Sequence, residues 1–538
     1  MGLREGTLER LPLEAQQYIT ELERQTETLR EQHAAVSEHV QTLQTENTIL
    51  NERLNLLLYR RFSRSAESVP EGQNELFAEA ESEAAAEEVE EGYVDVAAHR
   101  RSKSGRKPID EKHPRIEIVH DIPEEEKQCG CGHELQRIGE ETSERIQVIP
   151  EQIWVERHIR AKYACKNCEG SGDEEKPAVR VAPAQPSMIP GSITTAGLLA
   201  FILVNKFVDH LPFYRQEKRF ERIGFHISRQ DMSNWTMAVG KRIGPLIEKF
   251  RDRIRAGPVV QMDETPVQVL GEPGRENTKK SYMWLARGGP PEGPVCLYHY
   301  TPTRSAEYPR TLLGNYSGYL QVDGYSAYQT LAAENANLTL VGCWAHARRK
   351  FFEAGKGSKK AGAAHEAVAK IRKLYQVETE LREKNLSDRE FLARRREEVE
   401  PLLENLKSWL SKKAVQVVPG TLLGTAIAYT TKQWDSLVRY LDHPWLTPDN
   451  NAAENAIRPF VLGRKNWLFS ASPRGADASC AIYSIIETAT QNGLNPYAYL
   501  HYIFTNVPEI SDEAEWEELL PHNVDPDEVN NAPFARVR

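Results

Sequence analysis

From residue 19 to residue 57 an apolar side chain returns at every seventh position: Leu22, Leu29, Val36, Leu43, Leu50 and Leu57. Three positions before each stand Ile19, Thr26, His33, Val40, Asn47 and Leu54. A strict seven-residue row drifts off one face of a straight helix and stays on a seam only where helices wind around each other. The spacing predicts a long helix that pairs with another. With the leucine row at d, Asn47 falls at a, where a buried amide favours two parallel strands in one register at some cost in stability. The reading is a parallel homodimer through a zipper; the competing one is a lone amphipathic helix packed on its own domain.

The rest of the chain needs several further units, because 538 residues exceed the ~100 to 200 of an ordinary domain. Its longest apolar run, 198–204, is far short of the ~20 residues that span a bilayer, so no membrane segment is expected. The first residues are charged and polar, with no secretory pattern, and the expected compartment is the cytoplasm. The net charge of -10 is unevenly placed: 67–99 holds eleven acids and no Lys or Arg, and 509–538 holds nine acids against two Arg. Without these pieces the remainder is basic at +8, which leaves a polyanion partner open. The expected division is a zipper at 1–66, an acidic flexible linker at 67–99, a basic segment and metal module at 100–185, and a helical region at 186–255. A catalytic α/β domain at 256–508 follows, with a helical insertion about 360–445 broken at Pro401 and Pro419, then an acidic tail at 509–538.

In the basic run 100–108, Arg106 and Lys107 are candidates for lying along phosphates, or else mark a solvated boundary. Next come two close ligand pairs, Cys129/Cys131 and Cys165/Cys168, separated by strand-like sequence at 146–163. In a reducing compartment such pairs read as a zinc-ribbon-like module, whose tetrahedral site holds a core too small to hold itself. The first pair is Cys-x-Cys, not Cys-x-x-Cys, so the Zn2+ ligands are a subset of Cys129, Cys131, His133, Cys165 and Cys168. From 189 to 253 the pattern is helical, with Gly224 between two helices and Ser228 before the second, which carries Arg229. A small bundle and a helix-turn-helix both fit it.

From Pro258 the pattern turns to strands: 259–270, 281–286 and 295–300 with hairpin-like connections, then a helix, a strand at 319–322, another helix and a strand at 338–343. Three antiparallel strands, helix, strand, helix, strand is the order of a ribonuclease-H-like fold, in which strands one and four are neighbours. Asp263 lies within strand one and Asp323 ends strand four. A carboxylate in apolar strand sequence is costly unless paired or metal-bound, so two brought together call for a divalent cation. Glu454, in Asp449-Asn-Asn-Ala-Ala-Glu454 at a helix start capped by Asp449 or Asn450, supplies a third. Three carboxylates can hold two Mg2+ (or Mn2+) ions about 3.5 to 4 Å apart for in-line phosphoryl displacement. Arg458, Arg464 and Lys465 follow on the same helix and are suited to phosphates; Glu264, on the other face of its strand, is the poorer ligand. In Cys343-Trp-Ala-His346, a metal pair is one reading; His346 and Arg348 supporting the site or touching DNA is the other. Cys296 and Cys480 read as core thiols, and Trp467 and Phe469 as core packing or as rings to stack on an unpaired base.

These residues resemble the transposases of the insertion sequence 66 type over nearly the whole chain. The most specific stretches are Asp263-Glu-Thr-Pro266, Val322-Asp-Gly-Tyr325, Gly342-Cys-Trp-Ala-His-Ala-Arg-Arg-Lys-Phe-Phe352, Asn451-Ala-Ala-Glu-Asn-Ala-Ile-Arg458 and Gly463-Arg-Lys-Asn-Trp467. The resemblance implies that Asp263, Asp323 and Glu454 are a catalytic triad that cuts the inverted repeats of a bacterial element and joins them to target DNA. It also implies a nucleoid-associated setting and two small accessory proteins of the same element. The Cys-x-Cys knuckle departs from the family pattern. Alternatives are a catalytically inactive dimeric DNA-binding regulator and a ribonuclease-H-like endonuclease.

Overall fold

A computed structural model describes residues 12–62, 153–164, 179–357 and 362–531. Arg106, Lys107, the five candidate zinc ligands and the acidic linker lie outside the described residues. The chain divides into two units, Glu90–Gln185 and the remainder. Within the first, β1 (Lys162–Ala164) pairs antiparallel with β2 (Val179–Val181), and Arg160 Nε donates to Ala182 O at 2.7 Å. The strand expected at 146–163 is thus shorter: 153–161 are not in a strand.

The larger unit begins with α1 (Leu13–Phe62), a 50-residue helix. Leu22, Leu29, Val36, Leu43, Leu50 and Leu57 are all exposed along it. Its last turns dock through a different face. Leu56 is buried, the Glu52 carboxylate accepts the Leu422 N–H at 2.9 Å, and Lys356 Nζ lies 5.0 Å from the Tyr59 ring centre. The heptad seam therefore points away from the body to which the helix is attached.

Four helices precede the sheet: α2 (Ala196–Phe207), α3 (Phe213–Arg222), α4 (Arg229–Arg242) and α5 (Gly244–Ala256). Gly224 makes the turn between α3 and α4 at φ 86°, where a side chain would be strained. Ser228 caps α4 by accepting the Asp231 N–H. Met232, Thr236 and Val239 give α4 one buried face, and Arg229 is exposed at its start.

The sheet contains β3 (Val259–Gln268), β4 (Lys280–Gly288), β5 (Val295–Thr301), β6 (Gly318–Gln321) and β7 (Leu338–Val341), in the order β5-β4-β3-β6-β7. The first three strands in sequence are antiparallel neighbours, while β6 is parallel to β3 and β7 to β6. Connections run through α6 (Glu307–Leu313) and α7 (Ser326–Glu334). Mixed α/β architecture follows from sequence in which β-branched and aromatic runs alternate with helical periods.

After β7 come α8 (Trp344–Gly357), α9 (Ala363–Arg382), α10 (Asp388–Ala414), α11 (Leu422–Lys432) and α12 (Trp434–Val438), which pack a core of their own around Trp344, Phe351, Ile371, Leu406 and Leu437. Each such buried side chain contributes roughly 1.5 to 3 kcal/mol of transfer free energy. Pro401, expected to break this region, instead lies inside α10. A proline inside a helix costs about 3 kcal/mol through the lost hydrogen bond and the clash of its ring, which burial of Val399, Leu403, Leu406 and Leu410 along that helix offsets. Pro419 does fall between helices, before α11.

The chain returns to the sheet through α13 (Asn451–Trp467), α14 (Pro473–Gln491) and α15 (Pro496–Asn506). Edge strand β5 is covered by α14: Cys296 N and Tyr298 N donate to Thr488 Oγ1 and Ser484 Oγ at 2.9 and 2.8 Å. Cys296 and Cys480 are buried. The acidic end is not a detached tail as far as residue 531: α16 (Glu515–Glu518) and α17 (Pro526–Asn531) bring Leu519, Leu520 and Val529 into the main core. Acid counts alone conceal these three apolar anchors. Among the described residues no helix is long and apolar enough to cross a membrane.

Gly240 is where α4 meets α14; a Cβ there would come 2.9 Å from the Ala478 Cα. Gly240→Val should lower the unfolding free energy by about 1 to 3 kcal/mol, read from urea denaturation, whereas Gly244→Ala, in open space, should leave it within about 1 kcal/mol.

Candidate active site

Strand register brings the two aspartates together. Gln261 of β3 stands opposite Gln321 of the parallel β6, and their side chains bond across the strands at 3.0 Å. Asp263 and Asp323 each follow two residues later, so side-chain alternation returns both to the face that carries the bonded glutamines. The Asp263 carboxylate accepts the Glu264 N–H at 2.9 Å, and Asp323 accepts the Tyr325 N–H at 2.9 Å. Both are half-buried.

Glu454 arrives from the first turn of α13, whose start is tied to the strand ends. Asn450 Nδ2 donates to Met262 O at 2.9 Å, and Gln321 Nε2 donates to Thr447 O at 2.6 Å. Trp344 N donates to Pro448 O at 3.0 Å. The side chain of Asn450 thus serves β3 and does not cap the helix; Asp449 accepts the Asn451 N–H at 3.1 Å. Glu454 is 4% exposed, and its Oε2 is buried without a hydrogen-bond partner among the described residues. Its Oε1 lies 3.5 Å from His346 Nδ1 and 3.8 Å from the Cys343 thiol.

The electrostatics of this cleft are those of too many acids in too little water. Burial raises the Asp263 carboxyl well above its usual range, and the charges of Glu454, Glu264 and Asp323 push the same way against the Glu264 N–H. Burial also raises Glu454, to about 8, with Asp449 and Asp323 adding to the shift and Arg349 opposing it. The positive end of the α13 dipole favours an anion there but does not outweigh burial. Burial raises Glu264 as well, but here partners oppose the rise: the Tyr328 hydroxyl donates to it at 2.7 Å and Arg304 pairs with it through Nε at 2.8 Å.

The remaining candidates divide by position. Arg458 is half-buried one turn beyond Glu454, with Nη1 buried and no partner among the described residues. Arg464 donates to Thr265 Oγ1 at 3.1 Å, and Lys465 is exposed. His346 lies beside Glu454 in the first turn of α8, beyond strand β7, and Arg348 is half-buried on that helix. Arg229 is on α4. Trp467 packs edge-on against Phe207 while Phe469 is exposed. Arg349, whose charge acts on both Glu454 and His346, is the residue that motif reading passed over for Arg348. Helical spacing was the available signal, since three residues after His346 is its own face.

Comparison with known proteins assigns the chain. Residues 191–478 match the family described as "Transposase IS66 family". The chain belongs to this family. Residues 126–169 match "zinc-finger binding domain of transposase IS66", 484–522 the "IS66 C-terminal element", and 49–118 "Transposase C of IS166 homeodomain". Similar proteins from Sinorhizobium fredii include "Uncharacterized protein y4jD", 34% identical over 78% of this chain and 82% of its own length. "Uncharacterized protein y4qI" is 32% identical over 82% and 83%. Membership makes this a transposase, and the family and zinc-finger matches imply use of divalent metal and a structural zinc.

A buried carboxyl that is raised when metal-free makes a stability prediction. The unfolded chain releases the Glu454 proton near 4.5 and the folded one near 8. The unfolding free energy in EDTA should therefore fall as pH rises between those values and level off above. Glu454→Gln and Asp263→Asn should melt several degrees above wild type in EDTA at pH 8. Mg2+ should then raise the melting temperature of wild type more than that of either variant.

Proposed function

We propose that this transposase cuts and joins DNA at a two-metal site held by Asp263, Asp323 and Glu454, on a ribonuclease-H-like domain. The sheet order β5-β4-β3-β6-β7, with three antiparallel strands followed by two parallel ones, supports that fold. The observation that carries the catalytic reading is the convergence of the three acids: adjacent strands at matching register, a helix tied to those strands, and mutual charge that raises Asp263 and Glu454. The orphaned Glu454 Oε2 and these raised carboxyls fit a site built for cations. Mg2+ or Mn2+, two per site, would be held by Asp263, Asp323 and Glu454, and would supply activation of the attacking oxygen and charge stabilisation on the leaving one.

The protein's own share is positioning. β3 and β6 fix the two aspartates, while Asn450 and the 447–449 loop fix where Glu454 enters. Arg304 and Tyr328 keep Glu264 engaged elsewhere, which leaves its neighbour Asp263 to face the cleft. Arg458, with an unpaired buried nitrogen one turn from Glu454, and exposed Lys465 give α13 a cationic side suited to the phosphates of the DNA end. Arg464 and Arg348 extend that surface, and Arg229 at the start of α4 with Arg106 and Lys107 serve recognition of the inverted repeats.

Two further parts belong to this reading. The outward-facing seam of α1 pairs two copies in a parallel coiled coil, which suits an enzyme that must handle two element ends. A subset of Cys129, Cys131, His133, Cys165 and Cys168 holds Zn2+ in an end-binding module. The division of the chain is that of zipper, linker, zinc module, helical region, catalytic domain with a helical insertion about 360–445, and an acidic C-terminal segment, and two small proteins of the same element accompany it.

The test is mobilisation in cells of a marker flanked by the DNA that borders this gene, with neighbouring reading frames supplied. Asp263→Asn should reduce movement by roughly a thousandfold or more while DNA binding measured by gel shift is retained. Equal movement with wild type and variant would remove Asp263 from the catalytic role.

A further inference from the structure

Cys343, His346 and Glu454 come together in a way that two-metal chemistry does not require. Cys343 lies in the turn after β7, His346 in the first turn of α8, and Glu454 in the first turn of α13. Their donor atoms, one from each residue, all lie within 4.8 Å of one another. Oε1 of Glu454 is 3.8 Å from the thiol sulfur and 3.5 Å from His346 Nδ1. Around a tetrahedral zinc, with bonds of about 2.3 Å to sulfur and 2.0 to 2.1 Å to nitrogen or oxygen, neighbouring donors stand roughly 3.3 to 3.6 Å apart. Side-chain adjustments of a few tenths of an ångström bring the Glu454–Cys343 and Glu454–His346 distances into that range, and the sulfur and the ring nitrogen close the remaining separation, at most 4.8 Å, as the ion binds.

We propose that Cys343, His346 and Glu454 form a separate site for a borderline-soft divalent cation such as Zn2+, and that filling it withdraws Glu454 from the Asp263–Asp323 cluster. The donor set decides the class of ion: a thiolate and an imidazole select zinc-like metals, whereas Mg2+ takes oxygen ligands and is reluctant to shed water. Position in the fold favours preorganisation. Trp344, between the ligands, is buried, with its backbone N–H donating to Pro448 O at 3.0 Å and its indole N–H to Leu437 O at 2.9 Å. Asn450 N–H is directed at the Cys343 sulfur at 3.3 Å, a donor that suits a thiolate. A neutral imidazole at His346 supplies a nitrogen lone pair to an ion of this class. The His346 side chain is 26% exposed, so an ion can reach the site from solvent and keep water as its fourth ligand. On binding, the Cys343 thiol and the protonated Glu454 carboxyl each give their proton to solvent, and a sulfur and an oxygen lone pair go to the metal; no electron is transferred. Inhibition by such an ion rests on the catalytic reading of Glu454, but binding does not.

The experiment uses the full chain, isolated with zinc present and dialysed, and Co2+ as probe in excess Mg2+. Wild type should bind one more Co2+ per chain than Cys343→Ser by elemental analysis, with an added thiolate-to-cobalt charge-transfer absorption that the variant lacks. The Cys129–Cys168 module is common to both and cancels. His346→Gln should weaken Co2+ binding at least tenfold, and it decides the matter if Cys343→Ser fails to fold. Equal stoichiometry and identical absorption in wild type and folded variants would overturn the site, whatever their activity on DNA. In a parallel DNA-cleavage assay in Mg2+, Zn2+ should inhibit wild type at a concentration at least tenfold lower than Cys343→Ser. Extra Co2+ bound without such a difference would sink the withdrawal of Glu454.

Discussion

Repulsion among buried carboxylates is the constraint around which the larger unit is organised. Asp263 and Glu454 are both raised by burial, the charge of Glu454 adds to the rise of Asp263, and Asp323 adds to both. No fold would assemble such a group for stability, because each acid must stay protonated or find a cation. The hydrogen bonds around it hold the acids in place without neutralising them: glutamine to glutamine between β3 and β6, and Asn450 to the Met262 carbonyl. The neighbouring acid Glu264 is also raised by burial, but Tyr328 and Arg304 oppose that rise with direct hydrogen bonds.

That arrangement explains why segments distant in sequence must meet. Asp323 and Glu454 are separated by helices with their own apolar core, and the chain comes back to the sheet only through the 447–450 loop. Trp344 links the two sides, since it is buried in the helical core while its N–H reaches Pro448 beside the acidic cluster. Displacing α8 would therefore move His346 and the Glu454 carboxylate together. The long helix α1 attaches to the same helical layer, through Glu52 at the start of α11 and Lys356 against Tyr59. Its leucine seam remains outward, so pairing of that seam would act mechanically on the layer that frames the site.

Much of this was legible because chemistry and periodicity coincide in the sequence. Strand runs and the turns between them give the chain order of β3 to β7, the two aspartates stand in apolar strand sequence within it, and Glu454 stands at a helix start marked by Asp449 and Asn450. The seven-residue row from 19 to 57 marks the middle of α1, which runs more than a turn further at each end. Other features were hidden by the local nature of such patterns. Pro401 reads as a helix break because propensity is local, whereas Val399, Leu403 and Leu406 hold α10 through tertiary packing. The acidic end reads as a tail because charge outnumbers three apolar residues that prove to be buried. Asn450 reads as a cap, yet its side chain serves a strand 188 residues away. The closeness of Cys343 to Glu454 depends on a contact 111 residues apart, which no spacing within a motif encodes.

The most direct test of the central claim is anomalous diffraction from crystals of the protein soaked in Mn2+. The account predicts manganese ligated by carboxylate oxygens of Asp263, Asp323 and Glu454, and lost from the same position in Asp263→Asn crystals. Manganese bound elsewhere, with these three carboxylates unligated, would contradict it.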